Sequence, residues 1–179
     1  MKKSTTLDYI ILGLIQKTSL SGYRIRKTFE DTALGNFGGS PGTIYPALNR
    51  LTENKLIDKR DIEGGKKAEF SITSDGLKHL QNWLELKPTI PEIKKNLNLL
   101  ILKFAFMDFL QTKEEKLSYL EVMRTRLEDY LFDLRNYYQN EKDEMPINAQ
   151  LAFEHGLISY EASLTWCKKA QKTLKVQQG

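Results

Sequence analysis

The sequence predicts a mainly α-helical protein in two parts, with one small β-hairpin in the first part. Apolar residues recur three and four positions apart along most of the 179-residue chain, which is helical spacing. Residues 56–72 depart from it, because apolar and polar residues alternate there around a paired-glycine turn. Two prolines within residues 87–91 then interrupt the helical pattern. We therefore expect an N-terminal domain at 1–87 and a helical domain at 88–179.

The composition is that of an ordinary globular protein with a weakly basic balance. Hydrophobic residues make up 40% of the chain, the net charge is +4 and the pI is about 9.0. Residues 1–85 hold 13 Lys and Arg against 10 Asp and Glu, whereas residues 86–179 hold 14 against 13. This excess in the first part suits a polyanionic partner. A lone cysteine, Cys167, and the absence of an apolar run of roughly 18 residues predict a cytoplasmic protein without a membrane partner.

Helix one is expected at about residues 5–17. Thr5 and Asp8 stand three residues apart, which is the spacing of a capping box at a helix start. The apolar residues that follow recur every three or four positions: Leu7, Ile10, Ile11, Leu14 and Ile15. This stripe indicates a structural helix that packs on the core of the domain.

Helix two is expected from Ser21 to about Thr32, with Ser21 as its N-cap. Its outer surface is basic through Arg24, Arg26 and Lys27. A basic helix face is either simply solvated or in contact with nucleic-acid phosphate. Tyr23, in the first turn, has two corresponding interpretations: its hydroxyl bonds a phosphate, or its ring packs on the domain.

Residues 40–56 hold the most informative pattern in the chain. The inward face of a helix is formed by Ile44, Ala47, Leu48 and Leu51. The opposite face carries Gly42, Pro46 and Asn49, flanked by Thr43, Tyr45 and Arg50. Ser40 suits the N-cap and Pro41 the first helical position. Small and polar side chains let a helix enter a DNA major groove and touch base edges; a core helix with a polar back is the alternative.

Pro46 leaves two starting points open for this helix. If the helix begins at Ser40, the proline removes one backbone hydrogen bond and we expect a kink. Gly42, four residues earlier, then eases the strain because it lacks a Cβ. If the helix begins at Thr43, Pro46 lies in the first turn, where proline costs little.

The neighbouring segments predict a helix-turn-helix followed by a wing. Residues 31–39 are rich in glycine and indicate a loop, so two short helices, a loop and a third helix follow one another. Two strands are expected at 56–62 and 68–72. The tip between them carries Lys66 and Lys67, and basic residues at a wing tip reach phosphate or the minor groove.

The second part of the chain is expected to be helical to near its end. After a helix at about 74–86 and the proline junction, residues 97–110 are apolar nearly all round, which requires cover on several sides. Residues 113–141 and 146–176 show heptad spacing: Leu120, Met123, Leu127, Tyr130, Leu134 and Tyr137 in the first, and Phe153, Leu157, Tyr160, Leu164, Cys167 and Leu174 in the second. We expect an antiparallel helical pair that continues into a homodimer; a self-contained three-helix bundle is the alternative.

Several stretches taken together resemble the PadR family of transcriptional regulators. They are Tyr-Ile-Ile-Leu-Gly-Leu-Ile at 9–15, Ser-Gly-Tyr-Arg-Ile at 21–25, Gly-Thr-Ile-Tyr-Pro-Ala-Leu-Asn-Arg-Leu at 42–51, Lys-Leu-Ile at 55–57 and Thr-Ser-Asp-Gly at 73–76. The resemblance is specific over about residues 1–85. The C-terminal part is similar only in plan, to longer members with an extended helical dimerisation domain.

The resemblance implies a winged helix-turn-helix dimer, usually a repressor, that binds an inverted repeat in double-stranded DNA. By this likeness the residues that face DNA are Ser40, Thr43, Tyr45, Asn49 and Arg50, with Lys66 and Lys67 on the wing. Glu63 beside the wing turn departs from the pattern and weakens the phosphate attraction expected there. Some relatives respond to small aromatic or drug-like molecules, so a small aromatic effector is a further partner that the resemblance implies, without assigned residues.

Two other classes of function compete with a DNA-binding regulator. A helical protein-interaction module, whose winged domain does not bind DNA, remains the alternative. An enzyme is disfavoured, because the sequence has no glycine-rich phosphate loop, no metal-spaced His/Cys set and no nucleophile motif. We accordingly expect no cofactor and no metal.

The aromatic residues Trp83, Phe104 and Trp166 have two interpretations as well. Apolar aromatic surface suits planar ligands, so these rings are candidates for the lining of an effector pocket. The alternative is that they belong to the hydrophobic core.

Overall fold

The computed structural model describes residues 4–62 and 67–176, and only the backbone of Lys67. The chain divides into two compact units, with the boundary between Trp83 and Leu84. The helices and strands of the first unit are α1 (Thr6–Ile15), β1 (Leu20–Ser21), α2 (Gly22–Asp31), α3 (Pro41–Glu53), β2 (Ile57–Ile62), β3 (Lys67–Ile72) and α4 (Ser74–Glu85), whose end passes the boundary. Those of the second unit are α5 (Ile90–Phe106), α6 (Lys113–Glu141) and α7 (Ile147–Val176).

The first unit is a winged helix-turn-helix, as the sequence predicts. Strands β2 and β3 pair antiparallel, with Ile57 opposite Ile72 and Ile62 opposite Lys67. The sequence did not reveal β1, because two residues are too few to show an alternating pattern; it adds a third strand on the other edge of β3. The wing tip, including Lys66, lies outside the described residues.

The predicted helix starts are confirmed at two positions. Thr5 and Asp8 form a reciprocal capping box, in which the Thr5 amide donates to Asp8 Oδ2 at 2.7 Å. Ser21 caps α2, because its Oγ accepts from the Arg24 amide at 3.2 Å. The helices then bury the apolar stripes that the spacing indicated: Ile10, Ile11 and Ile15 from α1, Ile25 and Phe29 from α2, and Ile44, Ala47, Leu48 and Leu51 from α3.

Helix α3 begins at Pro41, so the later of the two predicted starts is wrong and Pro46 lies inside the helix. Ser40 occupies the N-cap position, but its side chain makes no capping hydrogen bond. Apart from its chain neighbours and the backbone of its own helix, a Cβ added at Gly42 would approach only Ser40 Oγ, at 3.8 Å, so it would not contact the Pro46 ring. The loop before α3 is partly ordered as a 3-10 helix, Ala33–Phe37, which the glycine-rich composition did not predict.

In the second unit, α5 begins within the segment for which the prolines predicted extended chain. Thr89 and Glu92 form a capping box, and Pro91 lies in the first turn, where the missing amide has no helical acceptor. The helix carries a kink at Asn96, with φ −137° and ψ 33°. The backbone carbonyl of Lys94, just before the kink, accepts a hydrogen bond from Tyr160 Oη at 3.1 Å.

Helices α6 and α7 form an antiparallel pair, as predicted. Cys167 lies beside the start of α6, with its Sγ 3.2 Å from the Leu120 carbonyl, and burial raises the pKa of its thiol to about 11. Farther along α6, Tyr138 Oη donates to Glu154 at 2.6 Å near the start of α7. Within the described ranges, 4–62 and 67–176, no helix combines the length and apolarity that crossing a membrane requires.

The predicted heptad positions of α6 hold over its first half only. Leu120, Met123 and Leu127 are buried, but the inward residues then become Leu131 and Tyr138. Tyr130 is half-buried and Tyr137 is exposed. A straight α-helix has 3.6 residues per turn, so its buried stripe drifts by about 20° per heptad against a strict 3.5-residue repeat. The drift moves the inward position one residue further along the chain.

Candidate nucleic-acid interface

Three of the DNA-facing residues predicted from the sequence line one cleft in the first unit. The cleft has a volume of about 570 Å³ and lies among the start of α2, the outer face of α3 and the strands of the wing. Its lining comprises Ser21, Gly22, Tyr23, Tyr45, Asn49, Lys59, Ala68 and Phe70. Tyr23 and Tyr45 are 58% and 45% exposed, and Asn49 is exposed. The cleft thus combines two aromatic rings, an amide and an ammonium group at the surface.

Gly22 allows the Tyr45 ring to pack against the start of α2. A Cβ at this glycine would lie only 3.1 Å from Tyr45 Cε1. The Tyr45 ring would then have to move away by a few tenths of an ångström. Tyr23, on the same turn, has the guanidinium of Arg26 over its ring at 5.4 Å. The two tyrosines are therefore placed by the local packing of α2 rather than by burial in the core.

Lys59 is a further cleft residue, which is absent from the residues predicted to face DNA. It lies on β2 directly opposite Phe70 of β3, and its Nζ is 3.3 Å from Asp61 of the same strand. The alternation of strand residues could have indicated the position of Lys59, because residues two apart share a strand face and Lys59 therefore lies on the face of the buried Ile57. Beyond the edge of the core, that face opens into the cleft.

Thr43 and Ser40 stand at the start of α3 with hydrogen bonds inside the loop. The Thr43 hydroxyl donates to the Gly38 carbonyl at 2.6 Å and lies 2.9 Å from the Ser40 carbonyl. Gly38 has φ 96°, in the left-handed region that favours glycine, and this turn leads the chain into α3. The Thr43 hydroxyl proton is therefore engaged within the loop, although the residue is exposed.

Arg50 lies apart from the cleft and binds a carboxylate of its own domain. Its Nη2 and Nε contact Asp8 Oδ1 and Oδ2 at 2.5 and 3.0 Å. This hydrogen bonding raises the pKa of the Arg50 guanidinium further above its ordinary value. The DNA contact of Arg50 stays a prediction, and the two-pronged face of the guanidinium is turned towards α1. The sequence could not show this, since the partner lies 42 residues away.

The outer side of α2 continues the basic surface beyond the cleft. Arg24 and Lys27 are exposed and line a neighbouring hollow of about 480 Å³ together with Tyr23. Arg26 instead pairs with Glu30 at 2.6 Å, one helical turn later. The predicted phosphate-facing surface of α2 therefore has two exposed cations and a third that is partly neutralised.

The remaining candidate residues do not lie together in one site among the described residues. Lys66 lies outside the described residues, and of Lys67 only the backbone, paired with Ile62, is described. Trp83 stacks on Tyr9 in the first unit, with ring centroids 4.7 Å apart. In the second unit, Phe104 and Trp166 meet edge to face at 5.6 Å. His79, on α4, stacks on Tyr9, and its Nε2 lies 2.8 Å from Ser4 Oγ.

Comparison of the chain with known proteins identifies its family. The sequence profile of the Transcriptional regulator PadR-like family matches residues 11–82. The negative transcriptional regulator PadR of Bacillus subtilis is 35% identical over 130 residues, which are 64% of this chain and 71% of that protein. The transcriptional regulator YqjI of Escherichia coli is 39% identical over 79 residues, which are 44% of this chain and 36% of YqjI.

A solved structure of Bacillus subtilis PadR in complex with operator DNA aligns with 97% of this chain and 99% of its own, with 27% identity and a TM-score of 0.45. The profile match falls on the helix-turn-helix and its wing, which contain the cleft. The match to the Bacillus subtilis regulator extends over most of that protein. The chain therefore belongs to the PadR-like family of transcriptional regulators.

Proposed function

We propose that the protein is a homodimeric repressor that inserts α3 of each subunit into the major groove of an inverted-repeat operator. The observation that carries the proposal is the exposed cleft with Tyr23, Tyr45, Asn49 and Lys59 on one surface. An asparagine amide can donate to and accept from one adenine edge, and a threonine methyl such as that of Thr43 packs on a thymine methyl. Residues 1–87 would bind DNA and residues 88–179 would join the subunits.

The cations around the cleft support a phosphate-contacting role. Lys59 lies in the cleft, and Arg24 and Lys27 lie in the hollow beside it. A phosphate within reach of Lys59 competes with Asp61, whose pair with Lys59 is half-exposed and therefore weak. Positive groups on both sides of an inserted helix fix its register on the duplex, while the α3 face reads the bases.

The apolar surface of the second unit supports a homodimer. Among the described residues of α7, a helix of 30 residues, Cys167 and Gln171 alone are buried. Large apolar side chains remain exposed on α6 and α7: Phe132, Tyr137, Ile147, Leu151 and Ile158. Large apolar patches at the surface mark sites of interaction with a partner. A second copy of the chain offers the same face and satisfies two-fold symmetry.

Repression is proposed from the sequence match to the Bacillus subtilis relative. The Bacillus subtilis relative is named a negative transcriptional regulator. A dimer seated on an inverted repeat blocks polymerase access without any contact other than to DNA. Two-fold symmetry then places the half-sites about 10–10.5 base pairs apart, or a multiple of that.

The experiment that tests DNA reading compares Tyr45→Ala with Asn82→Ala, an exposed substitution on α4 outside the cleft. A duplex selected by the wild-type protein from a random library serves as the probe. We expect Tyr45→Ala to lose specific binding in a gel shift and to remain a dimer, and Asn82→Ala to bind as wild type does. If Tyr45→Ala binds the selected duplex as tightly as the wild type does, the cleft is not the DNA-reading surface. If binding of the wild type to heparin and to duplex DNA does not depend on salt, a protein-interaction module is favoured instead.

A small aromatic effector is the second part of the proposal. The aromatic contacts in each unit, Tyr9 with Trp83 and Phe104 with Trp166, provide apolar ring surface of the kind that planar ligands bind. A thermal-shift screen with phenolic acids and drug-like aromatic compounds tests it. A compound that both raises the melting temperature and weakens operator binding supports an effector, and a flat response across the screen removes it.

A further inference from the structure

The strongest feature outside the cleft is a buried ion pair that joins α1 to α3. Asp8 is 1% exposed and its carboxylate accepts from three donors: the Thr5 amide at 2.7 Å, Arg50 Nε at 3.0 Å and Arg50 Nη2 at 2.5 Å. Arg50 Nη2 also lies 3.4 Å from Thr5 Oγ1. Both oxygens of the carboxylate thus accept hydrogen bonds within the domain, and a planar two-pronged guanidinium is the group that fits it.

This pair ties the last turn of α3 to the capped start of α1. Arg50 lies in the last turn of α3, next to Asn49, and its 23% exposed side chain reaches back to the capped start of α1. Around the helix axis, Asn49 and Arg50 are about 100° apart, so holding one of them sets the angle of the other. The buried stripe alone restrains this rotation less sharply, because apolar contacts have no directional preference.

We propose that Arg50 and Asp8 act as positioning residues for operator recognition, and that Arg50 makes no contact with DNA. The inference rests on the proposed function, since it concerns how α3 is held for base reading. Loosening the pair changes the angle of Asn49 and Tyr45 relative to the groove, whereas the cations that face phosphate are untouched. Discrimination between operator and random duplex therefore falls, while salt-dependent binding to any duplex remains.

The test uses full-length Asp8→Asn, Arg50→Lys and Arg50→Gln on two probes, the duplex selected by the wild type and a random duplex of equal length. We expect Asp8→Asn and Arg50→Lys each to lower affinity for the selected duplex about 10- to 100-fold, as small misplacements of reacting or reading groups do. Affinity for the random duplex and the slope of log K against log salt stay at their wild-type values for all three variants. The double variant Asp8→Asn/Arg50→Lys is expected to be no worse than either single one.

A phosphate contact by Arg50 predicts a different pattern and would overturn the inference. Arg50→Gln then lowers the salt slope by about 1.8, because one contact worth about 0.9 is lost in each subunit of the dimer. Asp8→Asn then leaves operator affinity intact, and Arg50→Lys keeps most of the binding. All affinities are measured at least 10 °C below the melting temperature of the variant, where a role in stability alone leaves the ratio of the two affinities unchanged; an unchanged ratio overturns the inference. If Asp8→Asn does not fold, Arg50→Lys, which keeps the charge, decides in the same way. If the wild type does not discriminate between the probes, the proposed function fails, and the inference falls with it.

Discussion

Asn49 and Arg50 are adjacent in the chain and lie in opposite environments. Asn49 faces the cleft, and Arg50 is held by Asp8. Helical periodicity assigns both to the polar side of α3, because it fixes an angle around the helix and says nothing about what each side chain reaches. Local signals such as the cap at Thr5 could be predicted, since both partners lie within three residues. The ion pair could not, because its partners meet only in the folded domain.

Asn49→Ala is the residue-scale prediction. We expect it to relax base preference at a single position in each half-site, at a cost of about 1–3 kcal/mol in discrimination there, because a bidentate amide reads one base. Repeating the duplex selection with the variant measures this loss position by position. The matched control is Asn82→Ala on α4, which should return the wild-type site. Equal loss of preference at every position would contradict base reading by Asn49.

At the scale of the elements, helix ends and buried stripes of the first unit follow from the sequence. The buried stripe of α6 does not follow from the sequence beyond Leu127. A seven-residue repeat and a helix of 3.6 residues per turn drift apart by about 20° more with each heptad. Helix α5 begins inside the segment that the prolines predicted to be extended, since proline signals both the end of one helix and the start of the next. The cleft was predicted in part: the α3 face is regular, but Lys59 enters through the geometry of the wing.

Lys103 gives the element-scale prediction, because it joins α5 to the chain just before it. Its side chain is 3% exposed and its Nζ donates to the Leu86 carbonyl at 2.7 Å. Burial lowers the pKa of Lys103 from 10.5 to about 8, with Glu92 opposing the shift and Lys87 adding to it. Below pH 8 the buried Lys103 side chain is charged, and its burial then destabilises the folded state most. The free energy of unfolding that it contributes therefore rises as the pH increases from 8 to 10.5.

We expect the unfolding free energy of the wild type to gain about 2–3 kcal/mol relative to Lys103→Met between pH 7 and pH 10.5. Urea unfolding followed by the helical circular dichroism signal at both pH values measures the difference. Comparison with the variant cancels other groups that titrate in this range. A difference that is constant with pH, or that shrinks, would show that Lys103 is not perturbed by burial.

At the scale of the whole molecule, the fold class followed from the order of its patterns. Short helices, a glycine-rich loop, a groove-compatible helix and a hairpin specify a winged helix-turn-helix, and long heptad segments specify a helical pair. The partner that covers the apolar surface of the second unit does not follow in the same way, because the structure of a single chain does not contain it. Homodimerisation therefore remains a prediction, supported by exposed residues such as Ile158, at 63% exposure.

Ile158→Glu tests this prediction. We expect the wild type to sediment as a dimer and the variant as a monomer, because a buried glutamate without a partner costs several kcal/mol at an interface. Asn148→Glu, which adds the same charge at another exposed position of α7, is the control and should remain dimeric. The monomeric variant should also bind the selected duplex far more weakly while its winged domain stays folded. A wild type that is monomeric at micromolar concentration would refute the homodimer.

The most direct measurement of the central claim, that two copies of α3 enter successive major grooves, is selection of bound duplexes from a random library by the full-length protein. The predicted result is one enriched inverted repeat, with half-site centres about 10–10.5 base pairs apart or at a multiple of that spacing. Enrichment of an asymmetric site, or no enrichment at all, would contradict the account.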